Sequence, residues 1–194
     1  MKTTEFNLYV ELRDIQPKIW RRVVVSGDFL LTDFHYVIQS LFGWQDSHLW
    51  QFTFGKKIYT LLDDNGDSYL PKGMTQHDAD DATLQASLGS GRKFLYNYDF
   101  GDNWQVDLVV EGRVEVPKVY VPRCTDGQRA GPPDDCGGVP GYGNLCEAMA
   151  DPAHPEYADM HDWIGDDWDA EAFDLKDVNR CLKTGFAGLK SPPA

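Results

Sequence analysis

Apolar and polar residues alternate most regularly around the middle of the chain. Phe94, Tyr96 and Tyr98 alternate with Leu95, Asn97 and Asp99, and the alternation resumes in Trp104, Val106, Leu108 and Val110. A period of two is the mark of a strand, so the stretch predicts a hairpin with an aromatic face at the centre of a sheet. Between the strands, Phe100-Gly101-Asp102-Asn103 supplies turn chemistry. Gly101 can take a positive φ, and Asp102 and Asn103 can bond to nearby backbone. The same period in Phe6, Leu8, Val10 and Leu12 predicts a first strand that ends at Pro17, with a second over Ile19 to Val25. Leu49 to Phe54 and Lys57 to Leu61 predict two more, turning at Gly55-Lys56.

Helical spacing is clearest in Phe34, Val37, Ile38, Leu41 and Phe42, with Thr32 as the expected N-cap and Gly43 as the stop. A short helix is expected from a Thr83 cap to Leu88, stopped by Gly89. Val114 and Val116 carry the second hairpin strand on to Pro117. After residue 120 the segment VPRCTDGQRAGPPDDCGGVPGYG has too many glycines and prolines for regular structure and reads as a loop. Three helices follow: Asn144 to Ala150, Pro155 to Ile164, and one capped by Asp174 with Leu175, Val178 and Leu182 on one face. Strands first and helices last predict an α+β fold, a mixed or antiparallel sheet packed with helices. The expected organisation is a core over residues 1–120, with a Gly/Pro loop and an acidic helical lobe over 121–194 packed on it in one structural domain.

Charge sharpens that division. Residues 1–60 hold seven basic and six acidic residues, whereas residues 134–180 hold thirteen acidic residues against Lys176 and Arg180. Most of the net charge of −13 therefore sits in the last quarter, which repels phosphate backbones and attracts basic partners. Direct nonspecific binding to nucleic acid is not expected. The chain has no apolar run of about 20 residues for a membrane span, and its first residues, MKTTEFNLYVELRD, lack an apolar signal core. A cytoplasmic protein is expected, with Cys124, Cys136, Cys146 and Cys181 as free thiols.

Several motifs in one order resemble a known family, the plasmid pRiA4b ORF-3-like (MM3350-like) proteins. They are PKIWRRV at 17–23, the helix with His35 and Ile38-Gln39 leading to GWQDSHL at 43–49, YNYDFGDNW at 96–104, and RAGPPDDCGGVPGY at 129–142. DPAHPEY at 151–157, DWIGDDWDAEAFD at 162–174 and Val178-Asn179-Arg180 complete the set. The resemblance implies a roll-like curved sheet wrapped around helices, and it brings no established activity with it. Some family members carry a transposon-associated resolvase label (TnpR), which implies an accessory role in mobile elements. The chain departs from the family pattern in three places. The family often has His-Leu-His where this chain has His48-Leu49-Trp50, a His where Val106 stands, and a Cys where Gly131 stands.

Candidate chemistry is sparse. A serine recombinase needs an activated serine among arginines, but here Arg21 and Arg22 lie side by side on an expected strand of an acidic chain. For a metal-dependent enzyme, His48, Asp99 and Asp102 can converge at the hairpin tip on a hard ion, near Trp104. Cys124 and Cys136 with His154 or His161 offer a zinc alternative that lacks any Cys-x-x-Cys or His-x-x-x-His pair. The turn Asp63 to Asp67 has calcium-loop residues but puts Ser68 and Met74 where that loop needs Gly and Glu. In the acidic lobe, Asp162, Asp166, Asp167, Asp169 and Glu171 surround Trp163 and Trp168. That is either an acidic surface with exposed rings for a basic partner or, the preferred reading, a solvated face over two buried rings. The favoured expectation is a non-catalytic binding module with a protein partner, for which a basic one would suit the charge, and no cofactor.

Overall fold

The computed structural model describes residues 2–62, 70–117 and 121–186. Among these described residues, eight strands form one open mixed sheet: β1 (Lys2–Leu12), β2 (Trp20–Ser26), β3 (Trp50–Phe54), β4 (Lys57–Thr60), β5 (Thr75–Asp78), β6 (Lys93–Tyr98), β7 (Trp104–Pro117) and β8 (Arg123–Gln128). Five helices among the described residues accompany it: α1 (Leu31–Phe42), α2 (Leu84–Leu88), α3 (Gly138–Ala150), α4 (Tyr157–Ile164) and α5 (Leu175–Gly185). The strand order is β5-β4-β3-β6-β7-β1-β2-β8, antiparallel except for the parallel β4–β5 pair. The fold is therefore α+β, and the β6–β7 hairpin lies in the middle of the sheet.

The alternation explains the hairpin's place. Cross-strand pairs Phe94–Leu108, Tyr96–Val106 and Tyr98–Trp104 bring the apolar positions of both strands together, and all six side chains are buried. Such pairs are the unit of sheet stabilisation, and here they are mostly aromatic. Phe6, Leu8, Val10 and Leu12 of β1 belong to the same core, which α1 joins through Phe34, Val37, Ile38 and Leu41. Phe34 stacks on Phe52 with ring centroids 5.5 Å apart, so the helix is seated on β3 and β6 by aromatic contact. Gly43 ends α1 at φ 78°, and its amide donates to the Gln39 carbonyl.

Several expectations need correction. Helix α1 begins one residue before Thr32, with Leu30 at the cap position and no capping side chain. Its start is tied down instead by backbone bonds to the α2 segment, Leu31 N–H to Ala82 O and Leu84 N–H to Phe29 O. At the hairpin tip the left-handed residues are Asp99 (φ 53°) and Asn103 (φ 56°), not Gly101. Asp and Asn tolerate that region because their short side chains bond locally. The expected loop after residue 120 contains β8, which pairs with β2, so the expected boundary falls between two strands of one sheet. Helix α3 starts at Gly138, six residues before its expected start.

The C-terminal helices are attached to the sheet by specific contacts. Leu182 is fully buried, Phe186 stacks on Phe29 at 5.5 Å, and Asn179 exchanges hydrogen bonds with the backbone of Cys124 on β8. Asp174 caps α5 by accepting from the amides of Lys176 and Asp177. No helix among the described residues is long and apolar enough to cross a membrane. The calcium-like turn at 63–67 lies outside the described residues.

Candidate functional site

Three segments meet at the end of the central hairpin: the α1–β3 connection, the β6–β7 turn and the Gly/Pro segment before α3. The meeting is built from backbone bonds. The Asp99 amide donates to the Leu49 carbonyl, and Asp99 Oδ1 accepts from the Gly101 amide at 2.9 Å. Asp102 Oδ2 accepts from the Gly137 amide at 3.0 Å, and Gly138 sits at φ 66° with its Cα against the Asp102 carbonyl. A Cβ at Gly138 would collide with that carbonyl, so glycine is needed for both φ and space. On the other side, Trp44 Nε1 donates to the Pro132 carbonyl, and the Gln45 amide donates to Asp134 Oδ2.

This arrangement places the expected residues differently from one another. His48 and Asp99 do come together, with Nε2 and Oδ2 3.7 Å apart. The third carboxylate is Asp135, whose Oδ1 lies 3.2 Å from His48 Nε2. Asp102 instead anchors the start of α3 and stands outside this group. Trp104, expected to be available for binding, is 1% exposed and part of the core, because its strand position faces the same way as Val106 and Leu108. Among the described residues, the His48, Asp99 and Asp135 set is the one group of three or more potential metal ligands whose donor atoms lie within 4.8 Å of one another.

The cysteine–histidine alternative is not assembled. Cys124 lies on β8 with its thiol bonded to the Asp126 carbonyl, while Cys136 lies beside the hairpin turn, close enough to Asp102 to feel its charge. Burial raises the pKa of both thiols, that of Cys136 to about 12, with the Asp102 charge adding to the rise, so both are protonated near neutral pH. His154 accepts from the Glu156 amide, and His161 pairs with Asp166 at 2.8 Å.

Two polar constellations in the core were not foreseen. His35, 1% exposed, places Nε2 2.8 Å from Asp46 Oδ1 and Nδ1 2.7 Å from the Tyr96 hydroxyl, which also accepts from Gln39 Nε2. A neutral imidazole with its proton on Nε2 satisfies every partner: it donates to Asp46 and accepts from Tyr96. Burial pushes the His35 pKa down to about 4 in spite of the carboxylate. An Asp-His-Tyr chain resembles a nucleophile relay, but Tyr96 is fully buried and the imidazole is stacked on Trp50 at 4.3 Å, so its work is to lock α1 onto the sheet. Arg21, 2% exposed, spends its donors on the carbonyls of Trp20, Leu41, Gln128 and Arg129, between the rings of Phe42 and Phe173. Arg22 pairs with Glu111 at the surface. Both arginines of the PKIWRRV motif are thus engaged within the protein, Arg21 by backbone carbonyls and Arg22 by a surface ion pair.

The family model for plasmid pRiA4b ORF-3-like protein matches residues 4–177. The chain belongs to the plasmid pRiA4b ORF-3-like family. It is 32% identical over 185 residues to an uncharacterised protein, y4hQ, of Sinorhizobium fredii, covering 94% of this chain and 92% of that one. The crystal structure of MM3350, a protein of unknown function from Methanosarcina mazei Go1, superposes with a TM-score of 0.80 at 34% identity, over 91% of this chain and 98% of that one. The pRiA4b ORF-3-like motifs now have physical meanings. PKIWRRV carries the buried Arg21, GWQDSHL supplies Trp44, Asp46 and His48, and GPPDDCGG wraps the hairpin tip. At the three positions expected to depart from the family pattern, Trp50 and Val106 fill the core, and Gly131 has no room for a side chain against the Phe42 carbonyl.

The acidic lobe forms a second candidate surface. Helix α4 buries none of its residues, and Trp163 is 48% exposed on it. Asp159 lies one turn before Trp163 on the same face, and Asp162, Asp166 and Asp167 are exposed around it. The two tryptophans thus differ, since Trp168 is partly buried and packed against the core.

Proposed function

We propose that the protein is a non-catalytic binding module that takes a lysine- and arginine-rich segment of a partner protein on the acidic surface around Trp163. The observation that carries this reading is the half-exposed Trp163 ring on a helix with no buried residue, set among exposed carboxylates. An ammonium or guanidinium group over an indole face gains about 0.5–1 kcal/mol at an exposed site, and neighbouring carboxylates add steering. The wider field acts in the same direction, because thirteen acidic residues of the 134–180 segment face only two basic ones.

The test is calorimetric titration of the full chain with a Lys/Arg-rich peptide, alongside a Glu-rich peptide of equal length. Saturable binding of the basic peptide is expected, weakening as salt rises, with an affinity loss of about two- to fivefold in Trp163→Ala. No binding at low ionic strength, or binding indifferent to Trp163→Ala, would remove the reading.

A further inference from the structure

We infer that His48, Asp99 and Asp135 form a binding site for one divalent transition-metal ion, zinc or manganese in class. The inference is independent of the acidic-lobe reading and concerns the opposite kind of surface, one fixed by the hairpin. One potential ligand atom from each of His48, Asp99 and Asp135 already lies within 4.8 Å of the other two. A tetrahedral ion with ligand bonds near 2.0–2.1 Å holds its ligands about 3.4 Å apart. The observed 3.2 and 3.7 Å from Nε2 to the two carboxylates bracket that spacing.

The imidazole supplies the second observation. The His48 side chain is 26% exposed, but its Nε2 is shielded from solvent and, although 3.2 Å from Asp135 Oδ1, makes no hydrogen bond to any described residue. A ring nitrogen withdrawn from water and held beside carboxylates without a hydrogen bond costs free energy unless something else occupies its lone pair. A cation on that lone pair satisfies it and screens the two carboxylates from each other. Asp99 has one oxygen for this role because its other oxygen, Oδ1, is engaged by the Gly101 amide. One nitrogen and two oxygens suit a borderline ion. Calcium prefers six to eight oxygens, and copper(I) prefers thiolates. The side chain of Asp135 is 72% exposed, so the outer face of the site is open to water or to an exogenous ligand.

The experiment uses the full chain, stripped with chelator and titrated with Zn²⁺ and separately with Mn²⁺, with bound metal counted by elemental analysis after gel filtration. One equivalent is expected, with zinc tighter, and a rise in Tm on loading. Asp99→Asn keeps the oxygen that accepts from the Gly101 amide and removes only the charge, so it separates the metal site from the turn. Asp99→Asn and His48→Gln should each weaken binding at least tenfold with the metal-free Tm nearly unchanged, while Cys136→Ser should bind as wild type. Less than a tenth of an equivalent at 100 μM metal, or undiminished binding in the His48→Gln/Asp99→Asn double variant, would overturn the assignment.

Discussion

The central hairpin and helix α4 treat their aromatic residues in opposite ways. On β6 and β7 every inward ring is enclosed: Phe94, Tyr96, Tyr98 and Trp104 are all buried, and each faces a partner across the ladder or on α1. On α4 the helix carries one tryptophan, Trp163, that stays half exposed, and no residue of the helix is buried. A ring in the first setting gains from dispersion and from release of water, and its removal leaves a cavity. A ring in the second gains little in the free protein and becomes valuable when something covers it. The contrast separates a scaffold from a surface, and substitutions should separate them too.

The largest effect is expected at the hairpin. Trp104→Ala empties a fully enclosed site between Tyr98 and Trp44 and should lower stability by about 3–5 kcal/mol, read as a fall in the urea midpoint. Arg21→Met comes next. It preserves much of the volume but withdraws donors from four carbonyls between two aromatic rings, and it should cost about 3 kcal/mol in the same measurement.

The His35 network sharpens the comparison through pH. The folded chain holds this imidazole near pKa 4, and burial is the cause, so the unfolded chain, at its ordinary value near 6.5, binds more protons in between. Its contribution to stability is complete above about pH 6.5 and is lost as pH falls through that window toward 4. Urea unfolding at pH 7.5, 6 and 5 should show this decline, and His35→Gln should make it shallower. The smallest effect on stability belongs to Trp163→Ala, within about 0.5 kcal/mol by the same urea assay, although this variant should lose the most in peptide binding.

How much of this was legible beforehand follows from what each element buries. Strands with one buried face announce themselves by alternation, and so β1, β2, β6 and β7 could be read from residues alone, as could the core face of α1. Strand β5, Thr-Gln-His-Asp, buries no residue fully and pairs in parallel at the sheet edge, so it leaves no apolar pattern. Strand β8 buries only Cys124 and looks like the loop around it. The candidate site was half legible. His48 and Asp99 are linked by adjacent strand ends, but Asp135 arrives from the far side of β7 and β8, and no spacing rule connects it to a histidine 87 positions earlier. Asp102, the more conspicuous turn residue, was claimed by a backbone amide of Gly137. The His35 network was hidden for the same reason, since its tyrosine lies 61 positions away.

The division between scaffold and surface is tested most directly by amide chemical-shift mapping of the full chain with the Lys/Arg-rich peptide. Shifts confined to α4, the 165–171 segment and the Trp163 indole, with β6 and β7 undisturbed, are the predicted result. Shifts centred on the sheet or on α1, or none at saturating peptide in low salt, would contradict it.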